Sequence, residues 1–129
     1  MLTTVTDRNE ELLQAWQARD LDGMMAHYWN SPDLFTIGQS GQVTKGWDQA
    51  QAFQEGFFKV ASAIDVDHGG WHQTGGESGL LSSSPYTLTI TLQDGGQQRL
   101  EGWYVNPRQP IDDTWLVLYE YVTANAQLT

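Results

Sequence analysis

The sequence predicts an α+β fold in which helices from the N-terminal half cover a mostly antiparallel β-sheet from the C-terminal half. Up to Ala63, apolar residues recur at the three- and four-residue spacing of amphipathic helices. From Ile64 onward, apolar residues alternate with polar ones, and Gly-rich turns separate the segments. Because the chain is long enough for one hydrophobic core and short for two, we assign residues 1–129 to one domain.

Three helices and one short strand are predicted in the N-terminal half. The first helix begins near Val5, where Thr4 and Asp7 resemble a capping box. The second follows the capping residue Asp20 and ends before Ser31. A short apolar strand is predicted over 34–37. The third helix is predicted over 48–63, with its capping residue at the first position.

The second half is predicted to form five β-strands. They are expected over residues 65–73, 77–84, 86–92, 98–106 and 114–123. The clearest alternation is that of Leu88, Ile90 and Leu92 with the threonines between them. Two prolines within 107–113 predict a loop before the last strand.

The charge and composition exclude several classes of function. Sixteen acidic against six basic residues give a net charge of −10, which repels the phosphates of nucleic acids and anionic membrane surfaces. The absence of cysteine excludes disulfides, thiolate metal sites and cysteine nucleophiles. Residues 1–8 lack signal-peptide features, and no apolar run approaches the roughly 20 residues of a membrane span. We therefore expect a cytoplasmic protein that binds neither nucleic acid nor membranes.

Several motifs, taken in their order along the chain, resemble those of one superfamily. They are Ala-Arg-Asp-Leu-Asp-Gly at 18–23 with Tyr28 and Asp33 beyond it, Gly-Trp-Asp at 46–48, Leu-Glu-Gly-Trp-Tyr-Val at 100–105 and Asp-Thr-Trp-Leu-Val-Leu at 113–118. They resemble the nuclear-transport-factor-2-like (NTF2-like) superfamily, in particular its SnoaL-like and ketosteroid-isomerase-like branches. The resemblance covers nearly the whole chain. It implies a cystatin-like α+β cone, with three N-terminal helices packed on a curved sheet, a pocket between them and often a homodimer through the other sheet face.

The resemblance does not imply one activity, because the superfamily includes isomerases, cyclases, epoxide hydrolases, dehydratases, pigment binders and association domains. The positions of the steroid isomerase base and its two hydrogen-bond donors fall near Ile37, Leu12 and Gly102. These side chains neither transfer protons nor donate hydrogen bonds, so steroid isomerisation is not expected.

The last predicted strand carries the catalytic candidate, Glu120. Alternation separates two faces of this strand: Leu116, Leu118, Glu120 and Val122 on one, and Trp115, Val117, Tyr119 and Tyr121 on the other. By analogy with the superfamily, the first face lines the pocket. Desolvation there would raise the pKa of Glu120 and suit it to general acid or base catalysis. The alternative is a carboxylate exposed at the sheet rim or paired with a cation from a helix.

A set of mostly aromatic residues is predicted to contact a small apolar substrate: Trp16, Tyr28, Phe53, Phe57, Tyr104 and Leu118. Tyr28 and Tyr104 are expected to direct hydroxyls into the pocket, and the other aromatic residues to form its apolar wall. The alternative for each residue is ordinary core packing.

The second face of the last strand, together with Trp103 and Val105, is rich in aromatic residues that water does not favour. We expect this face to form a homodimer interface. The alternative is that a loop or the C-terminal tail covers it.

No metal or other cofactor is predicted. His68 and His72 are four residues apart, which suits metal binding on a helix but places the two side chains about 13 Å apart in a strand. The two glycines between them oppose a helix.

The sequence thus predicts a SnoaL-like protein that binds a small apolar molecule, with Glu120 as acid or base for proton transfer, cyclisation or hydration. One alternative is a non-catalytic ligand-binding or dimeric association module. Another is a metal-dependent protein that uses His72 and a carboxylate.

Overall fold

A computed structural model of the protein describes residues 4–38, 41–124 and 126–127. The helices are α1 (Val5–Gln17), α2 (Leu21–Met25) and α3 (Trp47–Val60), and the strands are β1 (Phe35–Ile37), β2 (Val43–Lys45), β3 (Ala61–His68), β4 (His72–Gly76), β5 (Gly79–Leu92), β6 (Gln97–Ile111), β7 (Thr114–Val117), β8 (Tyr119–Val122) and β9 (Ala126–Gln127).

The strands form one mostly antiparallel sheet. Its main order is β2-β1-β8-β6-β5-β3, and β4 pairs with β5 while β7 and β9 pair with β6. The pairing of β1 with β8 is parallel, and the other strand pairs are antiparallel. The predicted α+β class is therefore confirmed, and the open sheet with a few helices fits an NTF2-like cone.

The first two helices begin at the predicted capping residues. The Thr4 hydroxyl accepts a hydrogen bond from the Asp7 N–H at 3.1 Å, and the Asp20 carboxylate accepts one from the Gly23 N–H at 3.0 Å. The prediction that the second helix continues to residue 30 was wrong. It ends at Met25 because the following backbone bonds to β7, as in the hydrogen bond from the Trp29 N–H to the Val117 carbonyl.

The third helix differs from its prediction at both ends. The capping position is occupied by Gly46, whose φ of +90° suits glycine. No side chain caps this helix, so the prediction that Asp48 is its capping residue was wrong. The helix ends at Val60 because Ala61 already begins β3, where it pairs with Leu92 of β5.

The predicted loop over 107–113 was also wrong, since β6 continues through both prolines to Ile111. Tyr104 and Val105 of β6 pair with β8, whereas the residues from Arg108 onward pair with β7. Pro107 lies opposite the junction between these two strands, where no β7 or β8 residue pairs with it. A residue without an N–H is tolerated at such an interruption of the ladder.

The core lies between the helices and one face of the sheet. Fully buried members are Leu12, Leu34, Ala61, Leu88 and Val117, with exposures of 0–1%. Burial of these side chains stabilises the packing of helices on sheet.

None of the helices in the described ranges is long and apolar enough to span a bilayer.

Candidate functional site

A small cavity lies between the helices and the sheet, and we call it the Glu120 cavity. Its volume is about 40 Å³. Six aromatic residues contribute to its wall: Trp16, Tyr28, Phe53, Trp71, Tyr86 and Tyr104. Leu12 and Met24 add apolar surface from the first two helices, and Glu120 enters from β8. Such a largely apolar wall with few polar groups is typical of small-molecule sites.

Two tyrosine hydroxyls donate hydrogen bonds to the same carboxylate oxygen of Glu120, a residue that is 7% exposed. The Tyr28 hydroxyl donates to Oε2 at 2.8 Å, and the Tyr104 hydroxyl donates to the same atom at 2.6 Å. Within the described part of the chain, no hydrogen bond reaches Oε1. Oε1 is therefore the carboxylate oxygen that has no hydrogen-bond partner among the described residues.

The surroundings of Glu120 act on its pKa in opposite directions. Burial away from water raises the pKa above its ordinary value, and this effect is the largest. The hydrogen bonds from Tyr104 and Tyr28 and the positive charge of Arg108 oppose it by favouring the carboxylate. Because the effect of burial is the largest, the pKa of the Glu120 carboxyl is raised above its ordinary value.

The same two tyrosines remain protonated over the ordinary pH range. Burial and the neighbouring Glu120 carboxylate raise the pKa of Tyr28 and of Tyr104 well above 10. Both therefore serve as hydrogen-bond donors to Glu120.

A chain of buried polar side chains leads from Tyr104 to a guanidinium group. The Asn106 amide nitrogen contacts the Tyr104 hydroxyl oxygen and Asn9 Oδ1, both at 3.2 Å. The Nε–H of Arg108 donates to the same Asn9 oxygen at 2.8 Å. All three residues, Asn9, Asn106 and Arg108, are 0% exposed. We call the series Arg108, Asn9, Asn106, Tyr104 and Glu120 the relay.

The Arg108 guanidinium is held by backbone oxygens and a neutral histidine. It donates to the Trp115 carbonyl at 2.9 Å and the Arg8 carbonyl at 3.4 Å. Both terminal nitrogens lie 3.4 Å from His27 Nδ1. Burial, followed by the positive charges of Arg108 and Arg8, lowers the pKa of His27 to about 3. His27 is thus neutral, and its Nδ1 accepts from the guanidinium.

A second polar cluster lies at the wall of the cavity. Glu10 Oε1 accepts a hydrogen bond from Trp71 Nε1 at 2.8 Å and lies 2.9 Å from His68 Nε2. His68 Nδ1 accepts the Gly70 N–H at 3.2 Å, so Nε2 carries the hydrogen that faces Glu10. The Trp71 ring meets that of Tyr104 edge to face, with centroids 5.9 Å apart. Glu10 therefore anchors Trp71 against the cavity.

The structure brings most of the predicted site residues together. Glu120, Trp16, Tyr28, Phe53 and Tyr104 all contribute to the cavity wall. Contact of these residues with a substrate stays a prediction.

Two of the predicted substrate contacts do not line the cavity. Phe57 packs behind Trp16, with ring centroids 5.9 Å apart. Leu118 lies at the break between β7 and β8, and that break shifts the alternation by one residue. The residues buried on either side of it are consequently Val117 and Glu120, three positions apart.

The shifted alternation also corrects the prediction for the opposite face of the sheet. Trp115 and Val117 are buried, at 8% and 0% exposure, and do not belong to it. Exposed apolar residues on that face include Leu81, Trp103, Tyr119 and Tyr121, each 38–44% exposed. We call these four residues, with Phe35 stacked on Tyr119 at 5.5 Å, the outer aromatic face.

Sequence reasoning missed Asn9, Asn106 and Arg108. The signal for Asn106 and Arg108 was present, because they continue the period-two series that reaches Tyr104. Pro107 concealed it by suggesting that the strand had ended. Asn9 lies four residues after the buried Val5, on the inward side of α1.

The described ranges contain no set of metal ligands, because no three side chains of His, Asp or Glu come together there. His72, the predicted ligand of the metal-dependent alternative, is exposed.

Comparison with solved structures identifies the fold. An NTF2-like superfamily protein from Salmonella enterica superposes with a TM-score of 0.86 at 15% identity, covering 97% of this chain and 91% of the other. A provisionally named scytalone dehydratase from Novosphingobium aromaticivorans gives a TM-score of 0.85 at 10% identity, over 95% and 83% of the two chains. A provisionally named calcium/calmodulin-dependent protein kinase type II association domain from Thiobacillus denitrificans gives 0.82 at 18% identity, over 98% of both chains.

These likenesses show that the chain has the NTF2-like fold, as the sequence motifs predicted. No protein-family model and no curated protein sequence matches the chain. At these sequence identities the comparisons establish the fold, and the activity has to be inferred from the chemistry of the site.

Proposed function

We propose that this protein binds a small, largely apolar molecule in the Glu120 cavity and that Glu120 exchanges a proton with it. The observation that carries the proposal is the arrangement of a buried carboxylate with two phenolic donors on Oε2 and none on Oε1. A core packed only for stability favours apolar side chains, because burying a carboxylate costs free energy that its partners must offset.

Oε1 is the atom that takes the proton. The hydroxyls of Tyr28 and Tyr104 occupy Oε2, so a proton arriving from a substrate O–H or activated C–H binds to Oε1. The same oxygen then returns the proton to a neighbouring atom of the substrate or to its leaving group. Proton transfer of this kind serves isomerisation, cyclisation, hydration and dehydration alike.

The size of the cavity restricts the substrate. A volume of about 40 Å³ accommodates little more than a few atoms, so a larger substrate must displace a wall side chain. Trp71 and Phe53 are partly exposed members of the wall, which makes them the side chains to move. The name of the Novosphingobium neighbour, a scytalone dehydratase, is compatible with this class of chemistry in the same fold.

The test begins with the molecule that the protein carries. Protein purified without added ligand is examined by native and denaturing mass spectrometry, and the copurified molecule is used for binding and turnover. Replacement of the acid in Glu120→Gln is expected to lower kcat by about 100- to 10,000-fold while retaining binding. Glu11→Gln is the control, because Glu11 is an exposed carboxylate bonded to Arg8 outside the cavity. Full turnover by Glu120→Gln would contradict the proposal.

A second candidate function is a non-catalytic association module that uses the outer aromatic face. Four exposed apolar side chains on one sheet face favour it, since surfaces of this kind mark contacts between proteins. We propose that this face forms a homodimer, which both candidate functions allow. If mass spectrometry finds no small molecule and no ligand enters the cavity, the association function is favoured.

A further inference from the structure

We propose that Arg108 is a positioning residue for Glu120, because its guanidinium sets the direction of every hydrogen bond along the relay. The part of Arg108 in catalysis rests on the proposed function of Glu120. Which atom donates and which accepts in each hydrogen bond of the relay can be tested without any substrate.

The argument begins at the guanidinium, which has donors only. Because Arg108 Nε–H lies 2.8 Å from the Asn9 side chain, the atom it meets must be the oxygen, Oδ1. The opposite orientation of this amide would place two donors against each other. The orientation of Asn9 is therefore set by Arg108.

Asn9 in turn sets the orientation of Asn106. With Oδ1 of Asn9 at 3.2 Å, the facing atom of Asn106 must be its NH2 group, and the same nitrogen lies 3.2 Å from the Tyr104 hydroxyl. The orientation has a cost, since Asn9 Nδ2 and Asn106 Oδ1 are buried without a partner. The two amides keep this orientation because reversing either one would place two donors or two acceptors against each other.

Tyr104 carries the direction to the carboxylate. Its oxygen accepts from Asn106, so its single hydrogen is free to donate to Glu120 Oε2 at 2.6 Å. Arg108 and Asn106 both donate to Asn9 Oδ1, and this arrangement leaves the second N–H of Asn106 for the Tyr104 oxygen and the Tyr104 hydrogen for the carboxylate, where it stabilises the ionised form of Glu120. In this form Oε1 is ready to accept a proton.

Other charged or titratable groups also face this region. They are Tyr28 and His27 after α2, Arg8 of α1, and His68 and Tyr86 at the cavity wall. Asn106 provides the means to separate the relay from the field of these charges, because its removal cuts the relay and leaves all of them in place.

The test is the titration of Glu120, followed through its side-chain ¹³C carboxyl shift in labelled full-length protein. Arg108→Met, Asn9→Leu and Asn106→Leu are each expected to raise the pKa of Glu120 by about one unit or more, a tenfold change in its proton affinity. The control, Trp47→Phe, removes a partly buried N–H that donates to the Met25 carbonyl outside the Glu120 cavity, and it should leave the pKa of Glu120 unchanged. An unchanged pKa in folded Asn106→Leu would overturn the proposal.

A neutron crystal structure of the wild-type protein tests the same point without any variant. The relay requires deuterium on Asn106 Nδ2 towards Tyr104 and on the Tyr104 hydroxyl towards Glu120. A Tyr104 deuterium directed at Asn106 would overturn the proposed orientation of the relay. If the relay holds but no molecule binds the cavity, the proposed function fails and the positioning of Glu120 by Arg108 stands.

Discussion

The Tyr28 hydroxyl lies 2.8 Å from Glu120 Oε2, although 92 positions separate the two residues in the sequence. Tyr28 follows α2 and forms an isolated β-bridge with Val117, which brings its ring beneath β8. The backbone hydrogen bond from the Val117 N–H to the His27 carbonyl holds the same segment at 2.8 Å. The donor and the carboxylate are thus positioned by the sheet itself.

Tyr28→Phe is expected to lower the free energy of unfolding by about 1.5–3 kcal/mol at pH 8, because a hydrogen bond to a buried carboxylate is lost. Its loss also raises the pKa of Glu120. Urea unfolding measures the first effect and ¹³C titration the second. Tyr86→Phe is the matched control, since its hydroxyl bonds to a neutral carbonyl and its removal should cost only about 0.5–1.5 kcal/mol. Equal costs for the two variants would argue against an ionised Glu120.

His27 is expected to make the protein sensitive to acid. Its pKa is about 3 in the folded state and 6.5 as a free side chain, so between these pH values the unfolded state binds the proton more tightly. Stability from this residue is complete above about pH 6.5 and is lost as the pH falls towards 3. Relative to His27→Gln, the wild type should lose about 2 kcal/mol between pH 7 and pH 5.

Urea unfolding of both proteins at the two pH values measures this difference. Glu120 acts in the opposite direction, because its raised pKa makes protonation favour the folded state as the pH falls. Since both proteins retain Glu120, its contribution cancels in the comparison. A difference that is constant with pH would mean that the pKa of His27 is the same in the folded and unfolded proteins, and it would contradict the lowered pKa.

The break at Leu118 predicts unequal effects of two neighbouring truncations. Val117→Ala is expected to cost about 2 kcal/mol of stability, since Val117 is 0% exposed and its methyl groups contact the core. Leu118→Ala, at a half-buried position outside the cavity, is expected to cost less than about 1 kcal/mol. Thermal or urea unfolding measures the loss of stability in each variant. A larger loss in Leu118→Ala than in Val117→Ala would indicate that the strand is uninterrupted, as the sequence predicted.

The outer aromatic face predicts a dimer that a charge disrupts. Trp103 is 44% exposed at this face, and Trp103→Lys is expected to convert a dimer into a monomer in sedimentation analysis. Val60→Lys is the control, because Val60 is 53% exposed at the end of α3 and not on the outer aromatic face. A wild-type protein that sediments as a monomer at high concentration would show that the face has another role.

Much of the fold could be predicted from the sequence because the signals are local. The caps at Thr4 and Asp20 and the alternation through Leu88 and Ile90 depend on neighbours a few residues away. Where two local signals competed, prediction failed. Pro107 suggested a loop, yet it lies at a place where β6 lacks a partner on one side, and the strand continues.

The candidate site shows the same division. Glu120 was predicted as the catalytic candidate because the resemblance to the superfamily implies that its strand face lines the pocket, where a carboxylate lies among apolar residues. The faces assigned to Val117 and Leu118 were wrong because a one-residue interruption reverses every later side chain, and no residue type marks that interruption.

By itself, the sequence determined the α+β class and the helical and strand halves of the chain, and it indicated Glu120 as the catalytic candidate. Only the tertiary structure decided what surrounds Glu120. The bonds from Tyr28 and from Arg108 join residues 92 and 99 positions away from their partners, and no local pattern encodes contacts of that separation. They form because burial removes water from these polar groups, which must then satisfy one another.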